Sequence, residues 1–473
     1  MLFTEPKFWA FFAIVSFAYV VLSHRAQNRM LLIASYVFYG AWDWRFLSLI
    51  MLSTAVDYLI GLKIQDTLEQ TQRRRLLFVS LAVNLGMLGI FKYLGFFVDS
   101  FENLLAGIGY NADPFTLSIV LPVGISFYTF QTLSYTIDIY RRDLKPVKNF
   151  LDFALFVAFF PQLVAGPIER ARNLLPNITS HRVLSWENLG RGAVLCLLGL
   201  IKKVVIADGL APSVDAIYAS PSPTRLDVIF ATWLFAIQIY CDFSGYTDIA
   251  RGVAKMLGFS LMRNFAQPYF AADPQEFWRR WHISLSTWLR DYLYISMGGN
   301  RGGKWKTYRN LMATMTLGGL WHGAAWNFVA WGVYQGGLLA FHRAFAGRHD
   351  RSGEGTRRSV LGWLVRIGAI VLFFQVVSYG WLLFRATSFE QIVDFTRRIF
   401  HGPPGLTIPE PPFPALVGLG FLLIWDLCIE LSGSVKFYTH WHPVIRAALY
   451  ASMIYLLAFG ATTQTSAFIY FQF

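Results

Sequence analysis

Long apolar runs separated by short polar breaks recur from Phe8 almost to the C-terminus. Many are close to the roughly 20 residues that a bilayer core requires of a helix. Alternation of period two is weak, which excludes a porin-type barrel. Lys and Arg gather in the breaks, and such loops face the cytoplasm. The pattern predicts a first span at about 8–22, followed by cytoplasmic His24, Arg25 and Arg29. No basic segment precedes that run and no small-residue cleavage site follows it, so it reads as a retained span rather than a removed signal peptide. Short spans at 30–43 and 46–62 turn at Trp42-Asp43-Trp44, and Lys63, Arg73, Arg74 and Arg75 mark the cytoplasm again. A span at 76–98 leads to an outer loop, Asp99 to Asp113, without Lys or Arg; a span at 116–138 returns to Arg141, Arg142, Lys145 and Lys148.

The stretch 150–190 breaks the rhythm. Its apolar part, Phe150 to Val164, is short and ends in Ala165-Gly166-Pro167-Ile168-Glu169-Arg170. Gly-Pro ends a helix, and irregular backbone at membrane depth is tolerated only inside protein or beside a cavity. A re-entrant element is therefore expected. Spans at 190–208 and 226–249 follow, with Arg251, Lys255 and Arg263 on the cytoplasmic side. Between Phe277 and Tyr294, Trp278, Trp281, Leu285, Trp288 and Leu289 recur at helical spacing, while Arg279, Arg280 and Arg290 lie off that stripe. This predicts an interfacial helix with its rings among headgroups and its guanidiniums toward water. Basic residues flank 309–342 at both ends, which favours a helical hairpin or re-entrant pair, with Gly318-Gly319 as the bend. Spans at 360–384, 413–431 and 445–468 complete the chain and place both termini outside. The absence of an internal repeat counts against the inverted-repeat plan of many transporters.

Composition agrees. Of 473 residues, 55% are hydrophobic and only 15% charged, against about 25% charged in a soluble domain. The net charge of +13 follows from the cytoplasmic loops and implies no nucleic acid. Cys196, Cys241 and Cys428 lie in apolar stretches without metal spacing and read as core residues. No HExxH, CxxC or carboxylate cluster points to a metal, and no phosphate-binding loop is present.

One ionisable residue stands alone in an apolar segment: His322, within Leu317-Gly318-Gly319-Leu320-Trp321-His322-Gly323-Ala324-Ala325-Trp326-Asn327-Phe328. A titratable group at membrane depth is costly and marks a functional cavity by default, and imidazole exchanges protons near neutral pH. The competing reading is a ring tied to a backbone carbonyl between helices. His282 sits among arginines, as a proton-handling group or as an interface residue bonded to backbone. Arg279, Arg280, Arg290, Arg301 and Lys304 form either a cytoplasmic mouth for a polyanionic donor such as a coenzyme A phosphate or an anchor to lipid headgroups. The ending, Phe468-Ile469-Tyr470-Phe471-Gln472-Phe473, is either an aromatic belt or a tail that threads into a cavity and presents the Tyr470 hydroxyl.

Together these segments resemble the membrane-bound O-acyltransferases, and most closely the bacterial branch containing the alginate O-acetylation membrane protein. The resemblance is carried by Leu31 to Tyr39, Leu121 to Gln131, Ala165-Gly166-Pro167-Ile168, Trp278 to Tyr294 and Leu320-Trp321-His322-Gly323. It implies an all-α polytopic fold, a ring of tilted helices around a central tunnel with about 10–12 membrane segments. The expected arrangement is one domain over 1–473, with N-terminal spans at 1–149, a catalytic core at 150–345 and C-terminal spans with the aromatic tail at 346–473. It implies His322 as the catalytic residue, His282 in support, and Tyr470 as an acyl-receiving tyrosine. The donor implied is acetyl-CoA or another acyl thioester, with no bound cofactor. A periplasmic SGNH-type acetyltransferase partner would pass the acyl group to a polysaccharide, and the setting implied is the bacterial cytoplasmic membrane. D-alanyl or peptidoglycan acyl transfer stays open within the family. Outside it, the alternative is a transporter of an anionic or lipid-linked substrate.

Overall fold

Helix is the only regular structure in the computed structural model, which describes residues 1–110, 120–164, 166–345, 359–462 and 468–469. Among these residues, six helical runs are long and apolar enough to cross a membrane: His24–Asp66, Gln70–Gly107, Arg225–Met256, Val360–Arg385, Phe413–Ser432 and Pro443–Gly460. Pro6–Val21 is a shorter apolar helix. The predicted turn near Trp42–Trp44 is a short 3-10 segment, Trp44–Phe46, in which Asp43 accepts the Arg45 N–H. The chain divides into two compact units, residues 1–196 with 250–262, and residues 197–249 with 263–473.

In the first unit a polar knot joins three helices. Asp57, on Leu47–Asp66, accepts from the Ser80 hydroxyl, from Asn84 Nδ2 at 2.8 Å and from Thr136 Oγ1 at 3.1 Å. Ser53 donates to Asn84 Oδ1 at 2.7 Å. Buried polar groups of this kind hold helices together where lipid offers no hydrophobic drive. The break at Gly166-Pro167 is as expected: short helices Phe150–Ala158, Phe160–Leu163 and Ala171–Thr179 surround it, nearly all buried. Gly124 (φ 76°) starts the helix Ile125–Arg141, and a Cβ there would lie 2.6 Å from the Leu163 carbonyl oxygen. Only glycine fits that approach.

In the second unit, the helix ending at Leu200 continues through a π-turn, Ile201–Ala207, into Asp208–Tyr218. It meets Arg225–Met256 at backbone distance: a Cβ on Gly245 would lie 2.7 Å from the Gly199 carbonyl oxygen, and one on Gly199 would lie 2.5 Å from that of Gly245. Asp227, in the first turn of Arg225–Met256, accepts from the N–H groups of Thr224, Thr407 and Ile408 and from the Thr407 hydroxyl. It thereby ties the loop after helix Phe389–His401 to a helix N-terminus, where a carboxylate is favoured.

Candidate active site

His322 is the last residue of helix Lys304–His322, at the tip of a hairpin completed by Trp326–Phe345. The hairpin was expected, but the bend is not at Gly318-Gly319; the chain turns at 323–325. The glycines serve close approach instead. A Cβ on Gly319 would fall on the Phe328 carbonyl, and one on Gly332 would lie 2.5 Å from the Met315 carbonyl. His322 is 4% exposed and lies among Trp331 (ring centroids 5.1 Å apart), Phe384 (5.6 Å) and His282 (6.4 Å). It is the C-terminal residue of its helix.

His282 corrects the sequence reading. No continuous interfacial helix runs from Trp278 to Tyr294. Helix Pro274–Arg280 stops, Trp281 is extended, and Ile283–Trp288 starts afresh before a π-turn, Leu289–Tyr294. The aromatic stripe packs into protein rather than among headgroups: Trp281 lies 5.0 Å from Phe265 and 4.7 Å from Trp381, ring to ring. His282 itself is fully buried and holds a left-handed backbone, φ 41°. Such a conformation is uncommon outside glycine and concentrates at functional positions. Asn264 secures the two residues that follow it, accepting the Ile283 N–H on its backbone oxygen at 2.9 Å and the Ser284 N–H on Oδ1 at 3.2 Å.

The His282 ring caps the helix that follows it, with Nδ1 accepting the Leu285 N–H at 3.4 Å. The residue lies outside the membrane-spanning helices, and burial pushes its pKa down to about 3. The ring is therefore neutral near pH 7. A neutral imidazole whose Nδ1 accepts carries its proton on Nε2. His282 thus presents an N–H donor, a group able to stabilise a developing oxyanion, with the His322 imidazole 6.4 Å away, ring to ring.

The basic residues divide into two groups. Arg279, Arg301 and Lys304 are exposed. Arg280 is held between Glu276 (2.7 Å) and Glu430 (2.6 Å), with Arg366 on the same Glu276 (3.0 Å). Arg290 pairs with Asp291 at 2.6 Å. The carboxylate partners were missed in the sequence, although the i,i+4 spacing of Glu276 and Arg280 was legible.

At the C-terminus, Tyr470 lies outside the described residues, but its two predecessors are placed. The Phe468 ring packs on Tyr246 (4.4 Å) and Phe243 (5.8 Å), and Phe243 packs on His282 (4.7 Å). The Ile469 N–H donates to Asp242 Oδ2 at 2.7 Å. Lys203 bridges Asp242 and Asp208, both at 2.7 Å. Sequence reading passed over this trio, although a Lys and an Asp inside apolar runs carried the signal. Among the described residues, no His, Cys, Asp and Glu cluster could hold a metal.

Comparison with known proteins supplies the reaction class. The profile of the membrane-bound O-acyltransferase family matches residues 31–379, which includes both histidines. The chain belongs to this family. It is 46% identical over 374 residues to a probable alginate O-acetylase of Azotobacter vinelandii, covering 79% of this chain and 72% of that protein. It is 35% identical over 442 residues to a peptidoglycan O-acetyltransferase of Helicobacter pylori, covering 86% and 80%. It is 27% identical over 326 residues to a teichoic acid D-alanyltransferase of Streptococcus thermophilus, covering 64% and 78%. The protein is a multi-pass membrane O-acyltransferase, which leaves the transporter reading without support.

Proposed function

We propose that this acyltransferase moves an acetyl group from acetyl-CoA at the cytoplasmic face to the Tyr470 hydroxyl, for delivery to a polysaccharide outside the membrane. The observation that carries the reading is the tail, whose Phe468 rests on Phe243 and, through it, on His282, in the same pocket of side chains as His322. In the step proposed, His322 takes the phenolic proton as the oxygen attacks the thioester carbonyl. The His282 Nε2–H donates to the resulting oxyanion. Collapse expels the coenzyme A thiolate, which recovers the proton from His322, leaving a free thiol and a tyrosyl ester. A free phenol has a pKa of about 10, so base help is needed at neutral pH. For the same reason the phenolate leaves far more readily than a sugar alkoxide, and the acyl group stays transferable.

Arg279, Arg290, Arg301 and Lys304 are exposed cations available to the donor's phosphates, with Arg290 paired to Asp291 and Arg280 held by Glu276 and Glu430. The acceptor beyond Tyr470 is a periplasmic SGNH-type partner, whose nucleophile takes the acyl group and passes it to the glycan. The setting is a bacterial inner membrane with both termini outside. Relatives named as alginate O-acetylases favour an exopolysaccharide. The Helicobacter relative, which aligns over more of this chain, favours peptidoglycan as the second choice.

Mass spectrometry of the C-terminal peptide tests the relay. Incubation with labelled acetyl-CoA should label Tyr470, while His322→Ala and Tyr470→Phe should each abolish both that label and glycan acetylation. Normal glycan acetylation in His322→Ala contradicts the catalytic assignment; normal acetylation in Tyr470→Phe replaces the relay by direct hand-over.

A further inference from the structure

Asp242 stands close to the middle of the 32-residue helix Arg225–Met256. After Gly460 the chain places the Thr462 N–H on the Val204 carbonyl at 3.5 Å, and Ile469 donates its N–H to Asp242. Lys203 and Asp208 would be balanced as a pair. A second carboxylate on the same lysine adds a formal negative charge in a buried place, the side chains being 2%, 1% and 4% exposed for Lys203, Asp208 and Asp242. Such a charge is costly unless hydrogen bonds meet it, and the tail N–H is one that does.

We propose that Asp242, fixed by Lys203, is the dock of the C-terminal tail and a positioning residue for acyl transfer. It sets the backbone at Ile469 and so sets the reach of the next residue, Tyr470. This rests on the relay proposed above. Apolar packing alone would hold Phe468 loosely in register. A hydrogen bond to one backbone N–H selects the register, because a slip of one residue would bring a different N–H to Asp242 and a different side chain to the place of Tyr470.

Two measurements on the full chain test this. Ile469→Pro removes the donated N–H and leaves Lys203, Asp208 and Asp242 untouched; Ile469→Val keeps the N–H. Single-turnover transfer to Tyr470 should fall roughly ten- to a hundredfold in Ile469→Pro, the range of a charge-assisted hydrogen bond, with the acetyl-CoA KM unchanged, and stay near wild type in Ile469→Val. Equal rates in the two variants overturn the positioning role. Hydrogen exchange reads the dock itself: the Ile469 amide should be protected in wild type and lose protection in Asp242→Asn. Unchanged protection in that variant overturns the dock. If Tyr470→Phe retains glycan acetylation, the relay fails, and amide exchange still decides whether Asp242 holds the tail.

Discussion

Replacing His282 by Asn separates the capping contact it makes from the donor role proposed for it. Asn tolerates a left-handed backbone almost alone among non-glycine residues, which meets the φ of 41°. It is also among the best N-cap residues, so its Oδ1 can take over the Leu285 N–H now on Nδ1. What it lacks is an N–H at the far edge of the ring. The structural penalty should therefore be limited to the lost ring volume, about 1–2 kcal/mol, against about 3–5 kcal/mol for His282→Ala, which loses cap and packing together. Removing one preorganised donor from a developing oxyanion costs roughly 10²–10³ in turnover.

The pH dependence gives an independent reading. The folded value of about 3 lies below the ordinary histidine value of 6.5, so the unfolded chain binds more protons between those limits. The buried ring's contribution is intact above about pH 6.5 and is lost as pH falls toward 3, at about 1.4 kcal/mol per pH unit. His282→Asn should abolish that part of the acid sensitivity. The assays are single-turnover acyl transfer at pH 7 and detergent-phase unfolding from pH 7 to 4. Wild-type turnover in the Asn variant refutes the donor role. An unaltered acid profile refutes the buried neutral ring.

Gly319→Ala places a methyl group on the Phe328 carbonyl and must part the hairpin that carries His322. A loss of about 1–3 kcal/mol with a fall in kcat is expected, whereas Gly337→Ala on the facing helix meets open space and should be neutral or slightly stabilising; thermal shift and turnover of the two variants check this. Asp227→Ala orphans the Thr224, Thr407 and Ile408 N–H groups at once, which should cost about 2–3 kcal/mol. An unchanged unfolding midpoint there would show that the loop bonds are replaced by water.

The elements that were legible in the sequence are those that face lipid. Val360–Arg385 and Phe413–Ser432 are apolar along most of their length, as a bilayer requires, and their limits fell where the apolar runs ended; Arg366 and Glu430 on them find charged partners in protein. Ile125–Arg141 is blurred for the opposite reason. Thr129, Gln131, Thr132, Ser134 and Thr136 are buried in protein and need partners rather than hydrocarbon, so the apolar run expected at 116–138 did not mark the limits of the helix. His322 stood out because a lone imidazole in an apolar segment is costly, and the structure buries it 6.4 Å from His282, ring to ring. The depth of His282 was not. Its neighbours Arg279 and Arg280 argued for an interface, while the break that buries it depends on Asn264, nearly twenty residues upstream, accepting the Ile283 and Ser284 N–H groups. The Lys203 and Asp242 pair shows the same limit: each was visible as a charge inside an apolar run, yet their partnership is a product of two glycines, Gly199 and Gly245, that let two helices touch. A pattern along the chain reports what each helix faces. Which two polar groups face each other is set by backbone approach between segments far apart in sequence, and in this enzyme the chemistry depends on the latter.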